Sequence, residues 1–276
     1  MRPGDPNDPL LKQVLPVAAE RDIIPPGFAL DPVGDQKAAL RPGLLQKYAG
    51  RVLLVVTGAC AIHCRYCFRR NFPYATGAVS PRQWDDALAR IVEDRSLSEV
   101  ILSGGDPLTL DDPLLAELIL RLEQIPHLRR LRIHSRLGIV LPSRITRELT
   151  SLLTGSRLQV IVVHHANHAQ EIDTTVVTAA ARLQQAGIVQ LNQAVLLRGI
   201  NDTVAAQQQL CEQLMESGIL PYYLHQLDRV AGGAHFETPE ELGPKLITGL
   251  REVLPGYLVP RLVREVSGAP YKVVLA

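Results

Sequence analysis

Six short β-rich runs, each followed by a stretch long enough for a helix, constrain this chain more than any other feature. The runs cover residues 52–56, 100–103, 131–134, 158–163, 189–195 and 219–224. Successive parallel strands need a crossover about one helix long, so the alternation predicts an α/β fold around a parallel sheet. Polar motifs directly after the runs place a site at the strand C-termini, and about six β/α units predict a partial, open parallel barrel. Helix starts read at Ser80 with Pro81 and Gln83, at Asp112 before Pro113, at Asp202 with Gly218 closing, and at Thr238 before Pro239. Residues 1–45, rich in Pro and Gly, read as an irregular N-terminal collar, 46–230 as the partial barrel and 231–276 as a C-terminal segment. A chain of 276 residues, 46% of them hydrophobic, can bury one core of that size.

The first run leads into "TGACAIHCRYCFRR", which places Cys60, Cys64 and Cys67 within eight positions of a chain with only one other cysteine, Cys211. Thiolates so closely spaced wrap one site far more easily than they pair as disulfides. Structural zinc usually takes two close ligand pairs separated by a longer stretch, and that spacing is absent, although His63 sits inside the loop. A four-iron four-sulfur cluster takes one thiolate per iron, so three cysteines would leave one iron open to an outside ligand. Three unrelated buried cysteines are the plain alternative.

Composition excludes several classes. With 29 basic and 28 acidic residues the net charge is +1, so nothing in the balance points to nucleic acid. Apolar runs such as "RVLLVV" and "LQVIVV" are strand-sized, short of a membrane span. "MRPGDPNDPL" lacks the order of a signal peptide, and with reduced thiols the expected location is cytoplasmic.

Further motifs follow the strands. In "LSGGDPL", Ser103, Gly104, Gly105 and Asp106 offer a backbone that can approach a ligand and a carboxylate that can accept from an ammonium, yet the same residues are good turn chemistry. "RIHSR" and "VHHANH" supply His134, Arg136, His164, His165 and His168, which read as polar pocket lining with no metal required. Only five lysines occur: Lys12, Lys37, Lys47, Lys245 and Lys272. Lys272 follows "VSGAPY", a turn of small residues that could bring an amine to an aldehyde; a solvated C-terminal lysine is the ordinary reading.

Cys-x-x-x-Cys-x-x-Cys after an apolar strand resembles the radical S-adenosylmethionine superfamily. Within it, "GLLQKYAGR", "SGGDP", "LPSRIT", "NQAVLLRGIND", "PYYLHQLD" and "GYLVPRLVREVSGAPYK" resemble the lysine 2,3-aminomutase family over nearly the whole chain. "HCRYCFRRNFPY" and "YYLHQLDRVAGGAHF" most resemble the members that make β-lysine for modification of elongation factor P. The resemblance implies an isomerase that moves the amino group of free L-α-lysine from Cα to Cβ. Its implied cofactors are a 4Fe-4S cluster, S-adenosyl-L-methionine cleaved at the open iron to a 5′-deoxyadenosyl radical, and pyridoxal 5′-phosphate. A reductase or flavodoxin-type electron donor and the elongation factor P lysylation enzyme are the implied partners.

Carried over residue by residue, the resemblance gives the cluster to Cys60, Cys64 and Cys67. Lys272, twelve residues after Pro260, would hold pyridoxal phosphate, and Lys47 with Arg51 would face its phosphate. Ser103, Gly104, Gly105 and Asp106 match the segment that holds the methionine amino group. Arg69 could clamp the substrate carboxylate through its planar fork. Asp228 and Glu265 fall where lysine-specific members place two acids around the ε-ammonium; two acids in one pocket repel unless a cation lies between them, which favours lysine over glutamate. Taken singly, each is an ordinary surface charge.

The chain departs from that family at both ends, beginning almost at "NDPLLKQV" and stopping at "YKVVLA", where family members have a longer N-terminal region and a C-terminal tail. The first difference bears on oligomeric state, the second on the positioning of Lys272. Clustered C-terminal cysteines that hold zinc in some aminomutases are absent, so Cys211 reads as a small helix residue. Three other readings stay open here: a radical enzyme without pyridoxal phosphate acting on a macromolecule, a non-catalytic metal-binding module, and a glutamate aminomutase.

Overall fold

The alternation in the sequence becomes one open sheet. A computed structural model describes residues 1–21, 24–77 and 84–276, so the helix start expected at Ser80, Pro81 and Gln83 lies outside the described residues. The ten strands pair in sequence order: β1 (Ala39–Arg41), β2 (Leu44–Leu45), β3 (Arg51–Thr57), β4 (Glu99–Gly104), β5 (Arg130–Ser135), β6 (Gln159–His164), β7 (Val189–Val195), β8 (Leu220–His225), β9 (Arg261–Arg264) and β10 (Val273–Val274). From β3 to β9 every pairing is parallel. The β1–β2 hairpin closes one edge antiparallel to β3, and β10 closes the other antiparallel to β9. The described helices are α1 (Pro9–Lys12), α2 (Tyr74–Gly77), α3 (Trp84–Glu93), α4 (Asp112–Glu123), α5 (Leu137–Val140), α6 (Arg147–Thr154), α7 (Thr174–Gln185), α8 (Val204–Glu216) and α9 (Leu242–Val253). No helix among the described residues is long and apolar enough to cross a membrane.

The six expected strands are β3 to β8, each within one residue of its expected bounds. The collar is less irregular than its Pro and Gly content suggests, since β1 and β2 join the sheet and Ala29 bridges Val230. Three helix caps also shift. Asp111, not Asp112, accepts from the Leu114 amide; Thr203, not Asp202, accepts from Ala206; and α9 starts at Leu242, leaving Thr238 buried against Gln226. In the first two cases the side chain outside the first turn reaches an orphan amide, while its neighbour is needed elsewhere: Asp202 accepts from Gly199 N at 2.8 Å.

Strand side chains alternate between two faces, and the two faces differ in kind. Val52, Leu54, Val100, Leu102, Leu131, Ile133, Val160 and Val162 point toward the helices and form a buried cluster with Trp84, Leu118 and Leu149. Toward the other end, Ala194, Leu224 and Leu262 do the same against Leu210, Leu214 and Leu250. On the inner face the intervening positions are mixed: Arg51, Glu99, Ser103, Arg130, Arg132, His134, Gln193, Tyr223, His225 and Arg261 alternate with apolar residues such as Val55, Ile101, Val163 and Val263. The fold therefore stands on the helix-packed face and admits polar groups inside, of which Ser103, His134 and His225 lie at the strand C-termini while Arg51, Glu99, Arg130 and Arg261 lie at the strand starts.

Candidate active site

The cysteine loop leaves β3 at Thr57 and folds back over the strand ends. Its seat is the β4 turn: Gly105 N donates to Thr57 O at 2.8 Å and Asp106 N to Ala59 O at 2.7 Å. A Cβ on Gly105 would lie 2.2 Å from Ala59 O, and one on Gly104, whose φ is +133°, 2.4 Å from Thr57 O. The paired glycines thus admit the cysteine loop itself. Asp106 is 5% exposed and already accepts four bonds, from Ser135 Oγ and the amides of Leu108, Arg136 and Leu137, at 2.7–3.0 Å. Burial holds its carboxyl above the ordinary value although these donors pull it down. Asp106 thereby fastens the β4 turn to the end of β5.

All four cysteines are free, Cys60, Cys64 and Cys67 partly exposed and Cys211 buried in α8. Burial pushes the Cys60 thiol up to about 12, with Cys67, Asp106 and Cys64 adding to it, and pushes Cys67 up to about 11 with Cys64 adding. A cationic centre would relieve that mutual effect. Among the described residues no three His, Cys, Asp or Glu side chains converge on a position for a single metal ion. A 4Fe-4S cluster asks for less convergence, one thiolate per iron, and the loop's donor set fits it.

Arg69, two residues past Cys67, is 6% exposed. Its Nε donates to Asp35 Oδ2 at 2.6 Å and its Nη1 to Ser103 Oγ at 2.8 Å, while Nη2 takes no acceptor among the described residues. Lys47 Nζ reaches the other oxygen of Asp35 at 2.7 Å and Glu265 Oε1 at 3.4 Å. Tyr48 donates to the same Glu265 oxygen at 2.7 Å, and Arg51 lies over the Tyr48 ring at 4.7 Å. Lys272 Nζ donates to Glu265 Oε2. The structure therefore joins Arg69, Asp35, Lys47, Glu265 and Lys272 in one run of alternating charge from the cysteine loop to the C-terminal segment. Burial pushes the carboxyls of Asp35 and Glu265 up, but the flanking cations outweigh it and hold both below their ordinary values.

Asp228 stands beside this run. Burial raises its carboxyl to about 7, Lys272 pulling it down and Glu265 pushing it further up. Of the two acids expected around a substrate ammonium, Glu265 bonds Lys272, and the Asp228 carboxyl is pulled down by the same cation. His134 and His225 also feel Lys272; burial foremost, and then neighbouring cations, hold both well below the ordinary histidine value. Their Nε2 atoms are buried without a partner among the described residues, so the inner face offers neutral polar atoms to a ligand.

Two of the other expected lining residues sit elsewhere. His164 shares the helix-packed side of β6, bonding Gln190 at 3.0 Å, and His168 caps a short turn by accepting from Gln170. His165 bonds Tyr66 Oη at 2.8 Å. Asp35, which is 1% exposed, carries no mark of its role in the sequence. Its partners are 12 and 34 residues away, and "DPVGDQK" reads locally as turn chemistry, so no periodic or local signal marks it.

The radical SAM superfamily model matches residues 54–204. The chain is 47% identical over 275 residues to the L-lysine 2,3-aminomutase of Escherichia coli (strain K12), spanning 100% of this chain and 80% of that one. It is 44% identical to the L-lysine 2,3-aminomutase of Haemophilus influenzae, spanning 99% and 80%. In fold it is similar to SuiB of Streptococcus suis bound to S-adenosylmethionine, with a TM-score of 0.56 at 13% identity over 80% of this chain and 51% of that one. A radical SAM methyltransferase from Sphaerobacter thermophilus gives a TM-score of 0.53 at 18% identity, over 82% and 71%.

Proposed function

The chain belongs to the lysine 2,3-aminomutase family of the radical SAM superfamily, and from that premise we propose that it converts L-α-lysine to β-lysine. The observation that carries the proposal is the run of charge from Arg69 through Asp35, Lys47 and Glu265 to Lys272, with Asp228 beside it. It supplies a cation for a carboxylate at one end and acids for an ammonium at the other, the two charges of a lysine zwitterion with its side chain extended.

Cys60, Cys64 and Cys67 would hold a 4Fe-4S cluster, with S-adenosyl-L-methionine at the open iron near Ser103 and the β4 turn. Lys272 would hold pyridoxal 5′-phosphate, its phosphate toward Arg51 and Lys47. When bound, the first pair supplies one-electron chemistry at an unactivated carbon, and pyridoxal phosphate supplies a covalent hold on an amino nitrogen and a ring to delocalise its electrons. The chain's own part is placement. Arg69, fixed at Nε and Nη1, presents Nη2 to the substrate carboxylate with little rotamer freedom left to lose. Glu265 pins Lys272 Nζ and, with Asp228, gives the ε-ammonium its acceptors. His134 and His225 stay neutral and hydrogen-bond without adding charge to the pocket.

The electron would come from a reductase or flavodoxin-type donor. The resemblance of "YYLHQLDRVAGGAHF" supports delivery of the product to the enzyme that lysylates elongation factor P, and four free thiols suit a reducing cytoplasm. The test is anaerobic reconstitution with iron, sulfide, pyridoxal phosphate, S-adenosylmethionine and a reductant, with lysine and glutamate assayed side by side. β-Lysine from lysine alone is the expected result; β-glutamate, or cleavage of S-adenosylmethionine with no β-amino acid, would refute the reading.

A further inference from the structure

Arg136, at the end of β5, is a buried cation to which the proposed reaction gives no role. It is 9% exposed, and both ends of its fork are taken. Nη1 donates to Cys64 Sγ and, at 3.0 Å, to Tyr66 Oη. Nη2 donates to Gln13 Oε1 at 2.7 Å and to Glu171 Oε2 at 2.8 Å. Glu171 is itself 7% exposed, and its other oxygen accepts from Asn167 N at 2.8 Å, His168 N at 3.1 Å and Gln13 Nε2 at 3.1 Å. Three separate segments, the collar, the end of β5 and the loop after β6, thus meet to hold one guanidinium against one sulfur of the cysteine loop. Burying such an ion pair carries a desolvation penalty that the pairing only offsets, and an apolar side chain would fill the space as well. Packing alone therefore gives no reason for a cation here, whereas the N–H aimed at sulfur does.

We propose that Arg136, oriented by Glu171, is a positioning residue that tunes the reduction potential of the cluster through the sulfur of Cys64. The inference rests on the reading of Cys60, Cys64 and Cys67 as cluster ligands. A hydrogen bond and a fixed positive charge at a ligating sulfur stabilise the more negative, reduced cluster and raise its potential; the Glu171 carboxylate opposes this from the far side of the guanidinium. The two residues therefore carry opposite signs. Arg136→Met lowers the midpoint potential, Arg136→Lys lowers it less because the charge remains, and Glu171→Gln raises it because only the counter-charge is lost.

The experiment uses protein reconstituted with iron and sulfide alone, titrated anaerobically with dithionite and redox mediators. The reduced cluster is followed by electron paramagnetic resonance, with iron content measured on the same samples. The expected order of midpoints is Arg136→Met, then Arg136→Lys, then wild type, then Glu171→Gln, at equal iron content. An unmoved midpoint in Arg136→Met, or a shift in the same direction for Arg136→Met and Glu171→Gln, overturns the proposal; the first of these with weakened S-adenosylmethionine binding would place Arg136 on that ligand. Should Arg136→Met fail to fold or to load iron, Glu171→Gln decides alone, and the absence of a rise overturns the proposal. Wild-type protein that takes up no iron would overturn the cysteine assignment as well, which separates that failure from the failure of the tuning role.

Discussion

The two faces of the sheet are made by alternate residues of the same strands, yet they obey different rules. On the helix-packed face Leu54, Leu102, Leu131 and Ile133 are at most 1% exposed and their neighbours are apolar. Toward the inner side His134 and His225 are each buried with one nitrogen that has no partner among the described residues, and the loop residues Asp35, Lys47 and Glu265 pair with one another, Lys47 also bonding Val33 O and Tyr48 the Glu265 carboxylate. Burial on the first face stabilises the fold at roughly 25 cal/mol per Å² of apolar surface. Burial on the second costs desolvation that ion pairing only offsets. The inner face is therefore maintained for what it binds, at the expense of the stability supplied by the outer one.

Of the four cysteines three belong to the inner site and one, Cys211, to the outer layer. Alanine at Cys60, Cys64 or Cys67 should abolish cluster absorbance and turnover. Cys211→Ala, 2% exposed among Leu210, Leu214 and Ile247, should keep both and lose only stability, read by thermal melting. Full iron and turnover in any of the three loop variants would remove the site from the loop.

A second pair of variants separates stability from chemistry. Leu102→Ala should lose about 2–5 kcal/mol of unfolding free energy in urea while the folded enzyme keeps its kcat/KM. Asp35→Asn leaves Arg69 and Lys47 without their shared counter-charge. It should cost stability of a similar order, about 3–5 kcal/mol if the pairs are fully broken, and in addition lower kcat/KM for lysine at least about tenfold. Unchanged kinetics in Asp35→Asn would reduce the collar to a structural strap.

How far the sequence showed this division depends on how local each signal is. Strands β3 to β8 were legible because apolar runs of strand length alternate with capped helical stretches. Strand β9 was not, since "RLVR" is four residues with two arginines, and β1, β2 and β10 are shorter still. The cysteine motif was legible because all its residues lie within eight positions. Lys272 and Glu265 gained meaning only through family resemblance, and Asp35 and the Arg136–Cys64 contact had no mark, because their partners come from strands and loops far along the chain.

A smaller effect concerns pH. Asp228, raised to about 7 in the folded protein against an ordinary 3.8, binds a proton there that the unfolded chain has released. Its contribution to stability therefore falls as pH rises from about 4 to about 7. Asp228→Asn should remove that decline, so thermal melts at pH 5 and pH 8 should differ less than in wild type. The same variant should lose at least about tenfold in kcat/KM for lysine, and less for an analogue ending in a methyl group. A steeper pH dependence in the variant, or equal losses on both substrates, would remove Asp228 from the ammonium site.

Two lysines, Lys47 and Lys272, lie against the one carboxylate of Glu265, so the position of the pyridoxal anchor tests the whole arrangement most directly. Wild-type protein loaded with pyridoxal phosphate would be reduced with borohydride, digested and mapped by mass spectrometry, with iron content measured on the same sample. The label should fall on Lys272 alone, and Lys272→Ala should take no label while its iron content stays near wild type. Label on Lys47, or on any lysine other than Lys272, would contradict it.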